Sequence, residues 1–358
     1  MIKNYLKLAA ISGLLLTSCS QDESLTTTQE VNLTATTQEE FDLYDAEFTA
    51  PSGSIHEDFD LITANAVEPT SCAPTPFSSV ISELGYAGYD IYGYLYLGLY
   101  SQINQLSTFI DQDPQYFGAE GEYTNYVVNR TRSLEKFWDM EDLITVRGQH
   151  NATLGNRDKI IDVYLNFSTL TEEEASANAD AFLEINELST FLIESPLLSF
   201  DGFASSSDLI VIGDGLVELA SEAGVEDKVV WTGILAHEWA HQIQFDNFFD
   251  WYPEGAADNA PEATRFTELE ADFFAAYYMT HKRGATYNWK RVADFNELFF
   301  NIGDCQFTSP GHHGTPDQRM RAAEAGFEFA KSQKKNGQLL SANQVHFAFL
   351  TYLDSSIL

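Results

Sequence analysis

The chain has 358 residues, with 19 Lys+Arg against 54 Asp+Glu and a formal net charge of −35. That acidity, with a pI near 4.3, argues against nucleic acid or an anionic lipid surface as a partner, because both recruit Lys/Arg-rich faces. Hydrophobic residues at 44% and aromatics at 13% exclude a disordered acidic polymer and suffice for one large domain or two ordinary ones.

The basic residues are unevenly placed: none lies between Lys7 and Arg130, where 18 acidic residues fall. Lys3 and Lys7 precede an apolar run from Leu8 to Leu16, the pattern of an export signal over residues 1–18. The run is too short to span a bilayer as a helix. Its end, Leu16-Thr17-Ser18-Cys19, resembles a bacterial lipobox. The resemblance implies cleavage before Cys19 and acylation of that cysteine, a lipid anchor without a spanning helix; the rival reading is an ordinary signal peptide with an incidental cysteine. Ser20-Gln21-Asp22-Glu23 resembles the acidic tails of surface-displayed lipoproteins, so the expected location is a bacterial outer membrane or cell surface.

Residues 19–75, with Thr26-Thr27-Thr28, Thr36-Thr37 and the proline-bearing stretch Pro69 to Pro76, read as an acidic, Thr-rich tether. Cys72 stands at its end and Cys305 far downstream. In an oxidising compartment the two could form a disulfide, which the sequence does not decide.

Residues 76–358 are expected to fold, and the pattern is mostly helical. Tyrosines at 86, 89, 92, 94, 96 and 100 fall within a helical stretch over 78–110. They tempt a carbohydrate-binding reading, but helical spacing favours core packing. Residues 122–144 read as a helix ending near Phe137-Trp138. Residues 171–193 have the cleanest start, with Thr171 as N-cap and Glu172, Glu173 and Glu174 at the positive end of the dipole. Asp208 to Ile212 reads as a strand, and Gly213-Asp214-Gly215 as a turn after it. No internal repeat is visible. The fold class expected is α+β, predominantly helical, with 76–204 a helical part of unassigned role and 205–330 the core.

The chemistry concentrates in two segments. The apolar stretch Val229 to Ala236 runs directly into His237-Glu238-Trp239-Ala240-His241. Histidines at i and i+4 share a helical face and can hold one metal ion, while Glu238 sits one residue further round, where it can face the attacking water. Imidazoles with a hard carboxylate suit zinc. Glu268-Leu269-Glu270-Ala271-Asp272 then opens a second apolar helix, with Glu268 and Asp272 on one face. One of these can ligate while the other orients a ligand histidine. Two His and one Glu leave a fourth position open, as a catalytic zinc site requires. Glu270 projects to a different face and is the weaker third ligand.

With these motifs the chain resembles the gluzincin metallopeptidases, and among them the bacterial neutral zinc metallopeptidases. His313-Gly314-Thr315-Pro316-Asp317-Gln318-Arg319 resembles a downstream segment of the latter, and the resemblance covers about residues 205–330. It implies a zincin-like core with an active-site helix, a short edge strand whose turn into the following helix is matched by Ile212-Gly213-Asp214-Gly215-Leu216, and a second ligand-bearing helix. By the same resemblance His237, His241 and Glu268 bind Zn2+, Glu238 is the general base and Asp272 supports a ligand. Peptides or proteins are the expected substrates. A transition-state donor is to be sought among His313, His312, Tyr277, Tyr278 and His281; the alternative for His313 and for Arg319 is a structural role holding the C-terminal segment against the site. Two further functional readings stay open: a catalytically inactive zinc-binding surface lipoprotein acting as scaffold or partner-binding protein, and a glycan-binding lipoprotein resting on the tyrosine stretch.

Overall fold

Burial of long apolar segments sets the architecture. The computed structural model describes residues 41, 43–49, 51, 76–252, 260–302, 315–333 and 338–357. The signal, Cys19, Cys72, Cys305, His312 and His313 lie outside the described residues.

The elements in chain order are α1 (Pro76–Val80), α2 (Ile91–Ile110), α3 (Thr124–Trp138), β1 (Thr145–Gln149), α4 (Arg157–Phe167), α5 (Glu172–Leu188), β2 (Gly202–Ser205), β3 (Leu209–Gly213), α6 (Asp214–Glu222), α7 (Asp227–Asp246), α8 (Phe248–Trp251), α9 (Ala260–Thr280), α10 (Trp289–Ile302), α11 (Pro316–Gln333) and α12 (Ala342–Tyr352). The described residues are predominantly helical, with one small sheet among them. Among the described residues no helix is long and apolar enough to cross a membrane.

The sheet has the order β1-β3-β2, with β1 parallel to β3 and β2 antiparallel to it. The hairpin from β2 to β3 turns through Ser206, Ser207 and Asp208, and Asp208 takes φ 60°; a left-handed residue at the end of a three-residue loop matches the twist of the flanking strands. Of the run 208–212, Leu209 to Ile212 do form a strand, continued by Gly213, but it is the central one and not an edge, and Asp208 belongs to the turn before it. All five residues of β3 are buried, which is how a continuous apolar run behaves when both faces are covered. The site-facing edge is β2, too short and too poor in β-branched residues to stand out in the sequence. Nor is Gly213-Asp214-Gly215 a turn. Helix α6 starts at Asp214, whose carboxylate accepts from Gly118 N at 3.0 Å and lies 2.5 Å from His150 Nδ1. Because β1 and β2 pair with β3, the core runs continuously across residues 204 and 205.

The stretch 78–110 is broken at 86–90, where Gly88 adopts φ 76°, and restarts with Asp90 as N-cap, accepting from Gly93 N at 2.8 Å. Helix α3 stops at Trp138 because Asp139 turns left-handed. Helix α5 carries a full capping box between Thr171 and Glu174.

Beside a small group of Phe203, Leu209 and Val211, two large hydrophobic clusters hold the described residues together. The smaller unites α2, α4 and α5, with Tyr100 stacked on Phe182 at 4.2 Å and 13°. Tyr86, Tyr89, Tyr92 and Tyr96 pack half-buried against that cluster, and Tyr94 is exposed. The stripe is therefore mainly core. The larger cluster reaches from Phe77 to Ile357 and centres on α7 and α9. Every residue from Val229 to Gln244 and from Arg265 to Thr280 is buried, as expected for helices covered on all sides. Helix α9 also packs closely on α11. At their crossing a Cβ on Gly326 would lie 2.3 Å from Phe273 O, so only glycine lets the backbones approach and brings Arg319 of α11 to the residues of α9.

Candidate metal centre

Helix α7 carries the two histidines on one face, one turn apart, with ring centroids 4.7 Å apart and planes at 89°. Their Nε2 atoms lie 3.2 Å from each other. Helix α9 crosses so that the Glu268 carboxylate meets both: Oε2 is 3.3 Å from His237 Nε2 and Oε1 is 3.2 Å from His241 Nε2. One donor atom from each of His237, His241 and Glu268 falls within 4.8 Å of the others. This buried group could bind a metal ion. Two imidazoles and a carboxylate form a donor set that fits a catalytic transition-metal site with an open fourth position.

Asp272, one turn beyond Glu268, has Oδ1 3.1 Å from His237 Nδ1. An acceptor there keeps the proton on Nδ1 and leaves Nε2 for a metal. Arg319 holds Asp272 in turn, donating from Nε to Oδ2 at 2.7 Å and from a terminal nitrogen to Oδ1 at 2.8 Å. The same guanidinium lies 3.5 Å from Glu268 Oε2. Arg319 is thus tied to the site by a bidentate ion pair, in line with the structural role considered for it.

The electrostatics fit a site built around a cation. Burial alone would lower the proton affinity of His237, but Asp272 and Glu268 outweigh it and push its pKa up to about 9. Burial would raise Asp272, yet the Arg319 charge and hydrogen bonds, with His237, hold it below the usual carboxylate range. Two carboxylates facing one guanidinium leave room for further positive charge at the histidines.

Glu238, like His237, is 0% exposed. It sits under β2, where a Cβ on Gly202 would come within 2.9 Å of Leu216, 3.4 Å of Ile234 and 3.8 Å of Glu238 Oε1. A glycine at 202 lets the edge strand pass close over Leu216, beside the Glu238 carboxylate. Gln242 of α7 fixes the strand by donating to Ser205 O at 3.0 Å and to Leu209 O at 2.9 Å.

The donor candidates Tyr277, Tyr278 and His281 are not brought to this group by the contacts described. Tyr278 donates to Ser133 Oγ of α3 at 2.8 Å, and Tyr277 and His281 pack on Phe137 of the same helix at 5.7 and 5.3 Å. Nine residues separate Tyr277 from Glu268, half a turn out of phase on α9.

Glu270 is turned away from the histidine pair. Its carboxylate accepts from Tyr252 Oη and from Gln244 Nε2 at 3.1 Å, and Oε1 lies 2.5 Å from His346 Nδ1. Glu270 beside it and complete burial push the Tyr252 hydroxyl well above its ordinary pKa, burial contributing most. Gln244 Oε1 lies 2.8 Å from His241 Nδ1. Neither Gln244 nor His346 stands out in the sequence: Gln244 follows the motif by three residues, and His346 is 76 residues from Glu270, beyond any periodic signal. No protein-family model, curated protein or solved structure matches this chain, so its function has to be read from these side chains.

Proposed function

We propose that this chain is a zinc-dependent endopeptidase of the gluzincin kind, held at a bacterial membrane surface through lipidated Cys19. The observation that carries this reading is the convergence of His237, His241 and Glu268 within 4.8 Å, with Glu238 next to His237 on the same helix. Zinc supplies Lewis acidity, which polarises a peptide carbonyl and acidifies water. His237, His241 and Glu268 would hold it. Asp272 keeps His237 in the tautomer that presents Nε2, and Arg319 keeps Asp272 in place.

Glu238 is the general base. Its carboxylate takes a proton from the water that attacks the scissile carbonyl carbon, and it returns that proton to the amine nitrogen as the C–N bond breaks. Substrates are peptides or proteins presented at the surface where the anchor holds the domain.

The complete burial of Glu238 and His237 favours the rival reading, a zinc-binding surface lipoprotein without hydrolytic activity. One experiment separates the two. Purified wild type should contain about one zinc per chain and cleave casein, and Glu238→Gln should keep the zinc and lose cleavage by at least about 100-fold, the lower end of a general base's contribution. Equal cleavage by both proteins, or zinc without cleavage in wild type, refutes the peptidase reading.

A further inference from the structure

For His241 to offer Nε2 to a metal, its proton must sit on Nδ1, and that proton needs an acceptor. Nε2 is the atom that faces the group, 3.2 Å from both His237 Nε2 and Glu268 Oε1. Gln244 Oε1 lies 2.8 Å from Nδ1. A glutamine amide can present either end, so something must fix which end faces the histidine. Gln244 Nε2 donates to Thr267 O at 2.9 Å and to Glu270 Oε2 at 3.1 Å. A flipped amide would set its NH2 against the His241 Nδ1 proton and its oxygen against a carbonyl and a carboxylate. All of these groups are buried, where such mismatches are costly.

Glu270 is itself fixed from three sides. Tyr252 Oη donates to it, Gln244 donates to it, and His346 Nδ1 lies 2.5 Å away. His346 stacks on Trp251 at 4.3 Å and 10°, and Trp251 Nε1 donates to Asn343 Oδ1 at 2.5 Å. This places α8 and the C-terminal helix α12 behind Glu270.

We propose that Gln244 and Glu270 are positioning residues for the metal ligand His241: Glu270, braced by Tyr252 and His346, sets the direction of the Gln244 amide, and Gln244 holds His241 with Nε2 towards the metal. Asp272 of α9, held by Arg319 of α11, does the same for His237, so each ligand histidine has its own buried support. The inference rests on the metal-site reading.

The test is zinc affinity by chelator competition, with the visible spectrum of the cobalt-loaded protein as a second readout. Gln244→Met should bind zinc about 10–100-fold more weakly, the range for loss of a ligand's supporting hydrogen bond, and shift the cobalt bands. Glu270→Met should weaken binding in the same direction. Glu270→Gln keeps an oxygen for the Gln244 amide and should stay near wild type. The double Gln244→Met/Glu270→Met should bind no worse than Gln244→Met alone, because Glu270 acts through Gln244; residues that only support the fold would give additive losses. Should Gln244→Met not fold, Gln244→Asn, whose shorter amide draws the acceptor back from Nδ1, gives the same reading. Wild-type affinity and spectrum in the position-244 variant, or additive losses in the double, overturn the proposal. Wild type that takes up no metal overturns the metal-site reading and this inference with it, whereas tight wild-type binding unaffected by position 244 overturns this inference alone.

Discussion

Arg319→Met isolates the ion pair behind the candidate metal site. The guanidinium and the Asp272 carboxylate are each about 1% exposed and meet through two contacts, at 2.7 and 2.8 Å, with Glu268 a third at 3.5 Å. Methionine fills much of the aliphatic stem's volume but removes the bidentate partner of Asp272 and leaves that buried carboxylate with His237 Nδ1 at 3.1 Å. Breaking a buried pair from one side costs about 3–5 kcal/mol, since the stranded charge keeps its desolvation penalty. With an unfolding entropy of about 2.1 cal/mol/K per residue, a chain of this size shifts by roughly 1.3–1.7 °C per kcal/mol, so the thermal midpoint of the metal-free protein should fall by roughly 4–8 °C. Urea unfolding followed by far-ultraviolet circular dichroism measures the loss directly. The double variant Asp272→Leu/Arg319→Met should recover part of it, because apolar groups of similar size often replace a buried pair without loss; Glu268, deprived of its own contact with Arg319, keeps the recovery partial. A loss below about 1 kcal/mol, the value of a solvent-exposed pair, would refute the claim that Arg319 is a buried brace.

Three further outcomes are expected. Zinc at a hundred times its dissociation constant should stabilise the wild type by about 2.7 kcal/mol, a shift that chelation reverses and Glu268→Gln largely abolishes; an equal shift in that variant would place the metal elsewhere. Gly326→Ala should cost about 1–3 kcal/mol in urea unfolding, the usual penalty for overpacking, because its methyl would meet Phe273 O at 2.3 Å; an unchanged midpoint would mean that α9 and α11 are not so close. Thr171→Ala should cost about 0.5–2 kcal/mol through loss of the N-cap, and Thr171→Ser should restore most of it.

What the sequence disclosed follows from the range over which its signals act. Helical periodicity joins residues within a few turns, so the i, i+4 pairs His237/His241 and Glu268/Asp272 were legible, as was the N-cap at Thr171. The length of the apolar run 208–212 revealed a strand. Its central place did not show, because that depends on pairing with β1, whose Thr145 stands opposite Leu209, and with β2, a strand of four residues. Long-range polar contacts are still less visible. Arg319 lies 47 residues from Asp272 and His346 lies 76 from Glu270, and nothing in their local spacing announces those partners. Glu270 is the instructive residue. Its placement two positions after Glu268 marked it only as a weaker ligand candidate, because side chains two apart on a helix face different ways. That difference in direction places it behind His241, against Gln244, Tyr252 and His346. A single turn of α9 therefore offers carboxylates in two directions, Glu268 and Asp272 towards the histidine pair and Glu270 towards the side chains packed behind one of them.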